Sequence, residues 1–75
     1  MWPITTTEVA RVLGVSAANL RRWIRQGKFE HLEGMSNERR PGTFQDQRRF
    51  TRAWVEAAAK ELQVDPDFSK LEGTQ

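Results

Sequence analysis

Residues 16–27 read S-A-A-N-L-R-R-W-I-R-Q-G, a stretch with a start, a stop and two chemically opposite sides. Ser16 is placed to begin a helix, because its hydroxyl oxygen can accept from an orphan amide of the first turn. Gly27 sits where a left-handed residue would end it. Between them Leu20, Trp23 and Ile24 recur at i, i+3 and i+4 and share one side. Ala18, Arg21, Arg22 and Arg25 fall on the other side of the same wheel. The spacing predicts a helix of about three turns whose apolar back must be covered and whose cationic front stays in water. Exposed arginines are also good helix formers that simply solubilise a surface, so this stretch alone does not assign a role to its front.

The residues before it narrow the choice. Residues 8–15 read E-V-A-R-V-L-G-V, with Val9, Val12 and Leu13 on one face. Thr5 precedes Glu8 by three positions, the spacing of a capping box, with Thr6 and Thr7 as alternative caps. Gly14 ends this first helix, and Val15-Ser16 leads directly into the second. Two helices joined by so short a turn containing glycine make a helix-turn-helix arrangement. That arrangement needs a small residue where the helices cross, glycine in the turn and apolar residues to hold the angle. Ala10, Gly14 and the set Val9, Leu13, Val15, Leu20 and Trp23 fill those places. An αα-hairpin of a small helical protein shares the pattern, but the arginine face favours the first reading.

With 75 residues and no cysteine, the chain is expected to form one small domain with a thin core and no disulfide or zinc–thiolate support. Three tryptophans and four phenylalanines must then supply much of the buried area. No apolar run approaches the roughly 18 residues of a membrane helix, and no signal-peptide pattern opens the chain. Cytoplasmic residence, in a bacterial host and associated with the nucleoid, is the expectation. The net charge of +2 conceals an asymmetry: residues 1–52 hold ten Lys/Arg and five Asp/Glu (+5), residues 53–75 two and five (−3). A basic front half suggests a polyanionic partner, and an acidic end suggests a different task.

After the second helix, residues 28–32 carry Phe29 and Leu32 and are read as a short strand. Residues 33–46 hold Gly34, Ser36, Asn37, Pro41 and Gly42, which are turn and loop formers, with Arg39 and Arg40 among them. Residues 47–50, Q-R-R-F, are read as the returning strand, completing a β-hairpin wing. A disordered basic loop is the alternative, and its attraction to phosphates would be the same in kind. Thr51 can cap a third helix over residues 52–64, with Trp54, Ala58 and Leu62 in one stripe, Val55 and Ala59 beside it, and Ala53 and Ala57 widening the apolar side. Asp65-Pro66 stops it. Residues 1–64 are thus expected to form the domain and residues 65–75 an acidic, flexible tail, although Phe68 and Leu71 can dock as a final turn. Trp2 is expected to cover one end of the core.

The run I-T-T-T-E-V-A-R-V-L-G-V-S-A-A-N-L-R-R-W-I-R-Q-G-K-F, followed by a basic wing and R-R-F, resembles the MerR-type winged helix-turn-helix. Within that group it is most similar to small phage excisionases, also called recombination directionality factors. The resemblance covers residues 4–62. It implies a mainly α fold, a small winged helix-turn-helix with three helices and a short β-hairpin wing. It further implies that the helix over residues 16–26 enters a major groove of DNA while the wing reaches neighbouring backbone or minor groove. Such proteins bind adjacent sites cooperatively and bend the DNA, so that an integrase assembles an excising complex. The chain departs from the MerR pattern in having Ala18 where arginine is usual, and in a longer insert between the wing strands.

On that reading the contacts divide by type. Ala18, Asn19, Arg21 and Arg22 are candidates for base edges, since arginine can pair with guanine and an alanine methyl can meet that of thymine. Ser16, Arg25, Lys28, Arg48 and Arg49 are candidates for phosphates. Arg39 and Arg40 are candidates for a narrow minor groove, with solvated loop charge as the alternative. If about six cations neutralise phosphates, log K falls by roughly 0.9 per contact per decade of salt. One short helix reads few bases, and a mismatch costs about 1–3 kcal/mol, so copies of the protein are expected to bind in arrays. The acidic Glu56, Glu61, Asp65 and Asp67 are candidates to meet a neighbour's wing or an integrase, with ordinary solvation as the alternative.

Catalysis has little to stand on. His31 is the single histidine, there is no thiol, and neither metal-ligand spacing nor a phosphate-cradling glycine loop occurs. No enzyme activity, metal or cofactor is expected. A DNA-bending recombination factor therefore comes first. A small MerR-like transcriptional regulator, the recognition domain of a phage DNA-packaging machine and a protein-only adaptor are the alternatives. MerR activators usually add a long dimerising helix and a sensor region, for which 75 residues leave no room.

Overall fold

The computed structural model describes residues 2–37 and 48–72. In chain order these form α1 (Thr6–Leu13), α2 (Ala17–Arg25), β1 (Met35–Asn37), β2 (Arg48–Phe50), α3 (Arg52–Leu62) and α4 (Ser69–Glu72). The expected class holds: a mainly helical chain with a two-stranded antiparallel hairpin, although with four helices rather than three.

Each of the three longer helices begins on a hydroxyl. The Thr5 oxygen accepts from the Glu8 amide at 3.3 Å while the Glu8 carboxylate accepts from the Thr5 amide at 3.1 Å, so the capping box is closed. Ser16 accepts from the Asn19 amide at 3.1 Å, and Thr51 from the Trp54 amide at 3.3 Å. Each such cap stabilises its helix by about 1 kcal/mol. Gly14 closes α1 at φ +73°, a left-handed geometry that costs a residue with a Cβ roughly 1–2 kcal/mol. Its turn delivers the Val15 amide to the Ala10 carbonyl at 3.0 Å, which aims the chain into α2.

The core is drawn from every element outside β1. Val9, Ala10, Val12 and Leu13 of α1, Leu20 of α2, Phe50 of β2, Trp54, Val55, Ala58 and Ala59 of α3, and Leu71 of α4 are all buried, together with Ile4 and Phe29. Ala53 is not among them. It is exposed and Ala57 half-buried, so the apolar side of α3 is narrower than its alanine content suggests.

The wing differs from expectation at its first strand. Residues 28–32 form no strand; residues 26–31 are turns, and β1 starts at Met35. The physical reason lies in Phe29, whose ring turns inward and is buried, which a solvent-side hairpin residue could not do. β1 pairs with β2 in the register Met35↔Phe50, Ser36↔Arg49 and Asn37↔Arg48. On its other side Phe50 bonds to Ile4, amide to carbonyl in both directions at 2.9 Å, so the first residues of the chain brace the wing root.

At the C-terminal end, Phe68 and Leu71 dock as the final turn, with Leu71 in α4. The Asp67 amide donates to the Val12 carbonyl at 2.9 Å, and Leu71 is buried against the core. Trp2 covers this end as expected, with its ring edge-on to Phe68 at 5.9 Å.

Candidate nucleic-acid interface

The two sides of α2 separate as the wheel requires. Leu20 is buried, and Trp23 and Ile24 are half-buried against the core. Ala18, Asn19, Arg22 and Arg25 are exposed, and Arg21 is half-buried. Arg22 and Arg25 also occupy the last turn, where positive charge is favoured by the helix dipole, typically by a few tenths of a kcal/mol at the surface. No acidic residue lies in the first turn of α2. The helix therefore offers a cationic ridge, with Ser16, Ala18 and Asn19 at its beginning.

Ser16 is exposed, and its oxygen is used as an acceptor by the Asn19 amide. A hydroxyl has one proton to donate besides, so capping leaves that donor available. Lys28 is exposed, with its ammonium 6.0 Å from the centre of the Trp23 ring, near the outer limit of a cation–π contact.

Arg48 and Arg49 are brought to the wing root, both half-buried. Successive residues of a strand project to opposite faces, so these two cannot serve the same face. Phe50 points into the core, which puts Arg48 on its side and Arg49 on the other. The Arg49 guanidinium donates to the Arg48 carbonyl at 2.9 Å and so lies along its own strand. Arg39 and Arg40 lie outside the described residues.

Four rings join α2 to the wing. Trp23 meets Phe29 edge-on at 6.4 Å, Phe29 meets Trp54 at 5.4 Å, and Trp54 meets Phe50 at 4.6 Å. The amino-acid pattern marks all four as apolar residues but carries no signal for their order, since Phe29 follows the end of a helix and has no periodic partner.

Other charged residues are engaged elsewhere. His31 lies in the turns after α2, its Nε2 2.6 Å from a Glu61 carboxylate oxygen on α3. Both side chains are about half exposed, so the contact is worth at most about 1 kcal/mol. Arg52 carries no helical periodicity that would single it out, yet it holds Glu56 at 3.0 Å and stacks 4.5 Å above the Phe68 ring. Asp67 accepts from the amide and hydroxyl of Ser69 at the start of α4. Its carboxyl is held below its ordinary range chiefly by that hydroxyl, against desolvation, with help from the Ser69 amide and the Lys70 charge. Among the described residues no group of three His, Cys, Asp or Glu could hold a metal ion, and no helix is long and apolar enough to cross a membrane.

A family model described as a helix-turn-helix domain matches residues 4–63, from the wing brace to the end of α3. No curated protein and no solved structure matches the chain.

Proposed function

The chain belongs to the helix-turn-helix domain family, small DNA-binding domains that include excisionase-like proteins, and we propose that its DNA binding serves site-specific recombination. In this reading the protein is an excisionase: it occupies and bends DNA so that an integrase assembles the excising complex. The observation that carries the DNA-facing side of the proposal is the split of α2, with Leu20 buried and Arg22 and Arg25 exposed.

α2 enters a major groove with Ala18, Asn19, Arg21 and Arg22 toward base edges. Ser16, Arg25 and Lys28 grip the flanking phosphates, and Arg48 or Arg49, with Arg39 and Arg40, extends the contact along the backbone or into the minor groove. Nine helical residues reach only a few base pairs. A mismatch costs about 1–3 kcal/mol, so a lone copy selects poorly against a genome and several adjacent copies supply the missing selectivity. Bending a site of about 20–30 base pairs costs roughly 1–6 kcal/mol, which phosphate contacts on adjacent copies can offset.

Recombination assays with a cognate integrase test the proposal. Excision that depends on this protein, with integration suppressed by it, is the expected result. DNA binding that alters transcription from an overlapping promoter while leaving excision untouched would assign the chain to regulation instead.

A further inference from the structure

We propose that Phe29 is a positioning residue for DNA binding, a spacer that sets the distance between the groove helix and the wing. The inference rests on the DNA-facing reading of α2 and β2 given above. α2 and β2 are far apart in sequence, and each carries candidate contacts to the same duplex. Both must therefore be held at a separation that matches groove to backbone. The ring sequence Trp23–Phe29–Trp54–Phe50 forms a continuous bridge between them. Its outer members belong to the two contacting elements themselves, Trp23 to α2 and Phe50 to β2. Trp54 is fixed by α3, where it is fully buried one turn after the Thr51 cap. Of the four, Phe29 alone stands outside every helix and strand, in the turns that follow α2, yet it is buried and in edge contact with rings on both sides. Close-packed interiors transmit a change of one side chain to its neighbours. Shortening Phe29 lets α2 close toward α3, while the wing root stays bonded: Phe50 to Ile4 and Thr51 to Gly34. The groove helix and wing then no longer fit one duplex together.

The test uses the full chain and a mixed-sequence DNA duplex, with binding followed by anisotropy as salt is varied. Phe29→Leu is expected to flatten the dependence of log K on log salt by about 0.9 for each phosphate that the wing ceases to neutralise. The Arg48→Ala/Arg49→Ala pair is expected to flatten it in the parent chain and to add nothing in the Phe29→Leu background. Phe29→Met, whose longer side chain reaches further than leucine, is expected to restore the parent slope. Leu71→Ala removes core volume away from the ring bridge and controls for reduced stability; its slope is expected to stay unchanged. Where Phe29→Leu melts below the assay temperature, Trp23→Phe shortens the same bridge at a half-buried position and carries the same expectation. A folded bridge variant with the parent slope, in which the wing substitutions still act at full strength, overturns the spacer role. Failure of the parent chain to bind the duplex overturns the DNA reading itself.

Discussion

Gly34, the residue before β1, is held to Thr51, the cap of α3. The Thr51 amide donates to the Gly34 carbonyl at 3.0 Å, and a Cβ on Gly34 would run into the Thr51 hydroxyl and lie 3.2 Å from the Trp54 Cβ. Gly34 is also at φ +108°, a conformation that residues with a side chain rarely adopt. Gly34→Ala is therefore expected to cost about 2–3 kcal/mol from strain and collision together. That would lower the melting midpoint by on the order of 15 °C in a chain of this size. Gly14, at φ +73° with open space around it, is the control; Gly14→Ala should cost about half as much, both read by thermal denaturation followed by circular dichroism.

Ser16 has a cap role that is present and a phosphate role that is proposed, and two substitutions separate them. Ser16→Ala is expected to lower stability by about 1 kcal/mol by removing the bond to the Asn19 amide. Ser16→Asp keeps the cap, since aspartate caps as well as serine, but sets a negative charge beside the DNA backbone. Unchanged stability with weakened binding is the expected outcome. Equal DNA affinity for Ser16→Asp and the parent would remove Ser16 from the interface.

Arg22 and Arg25 differ in the kind of contact proposed for them. Arg22→Ala is expected to cost about 1–3 kcal/mol on a preferred site and much less on random DNA. Arg25→Ala should weaken both to the same degree and flatten the salt dependence by about one contact. Parallel anisotropy titrations on the two duplexes decide between these patterns.

The short helix α4 should be acid-sensitive. Hydrogen bonding to Ser69 keeps the Asp67 carboxyl below its ordinary value of 3.8 in the folded chain. A group whose folded value is depressed lends stability above its unfolded value and loses it as pH falls through the folded one. Docking of α4 is thus expected to be intact above about pH 4 and to loosen below it. Amide exchange at Leu71 reports the change, and Asp67→Asn should abolish that acid step while leaving α2 unaffected.

Much of the candidate interface is legible in the sequence because its signals are local. Thr5 and Glu8 settle the start of α1 within one turn, as Ser16 and Asn19 do for α2, and the order of Leu20, Trp23 and Ile24 fixes which side is hidden. The first wing strand is illegible for the opposite reason. Phe29 and Leu32 look like strand residues by composition, but the site that receives Phe29 is built by Trp23 and Trp54, and residue 54 lies far along the chain. Met35, in contrast, is an exposed apolar residue that takes up the strand, because Phe50 lies opposite it in the ladder. The bond between Ile4 and Phe50 leaves no trace in either segment, since a single bridge requires no pattern.

That bridge has a bearing on how the chain acquires its shape during synthesis. Ile4 leaves the ribosome early, and Phe50 much later, so α1 and α2 can collapse on each other while the opening residues still lack their mate. The segment around Ile4 therefore cannot take its seat until translation has passed β2, and only then can the platform that steadies the hairpin be assembled.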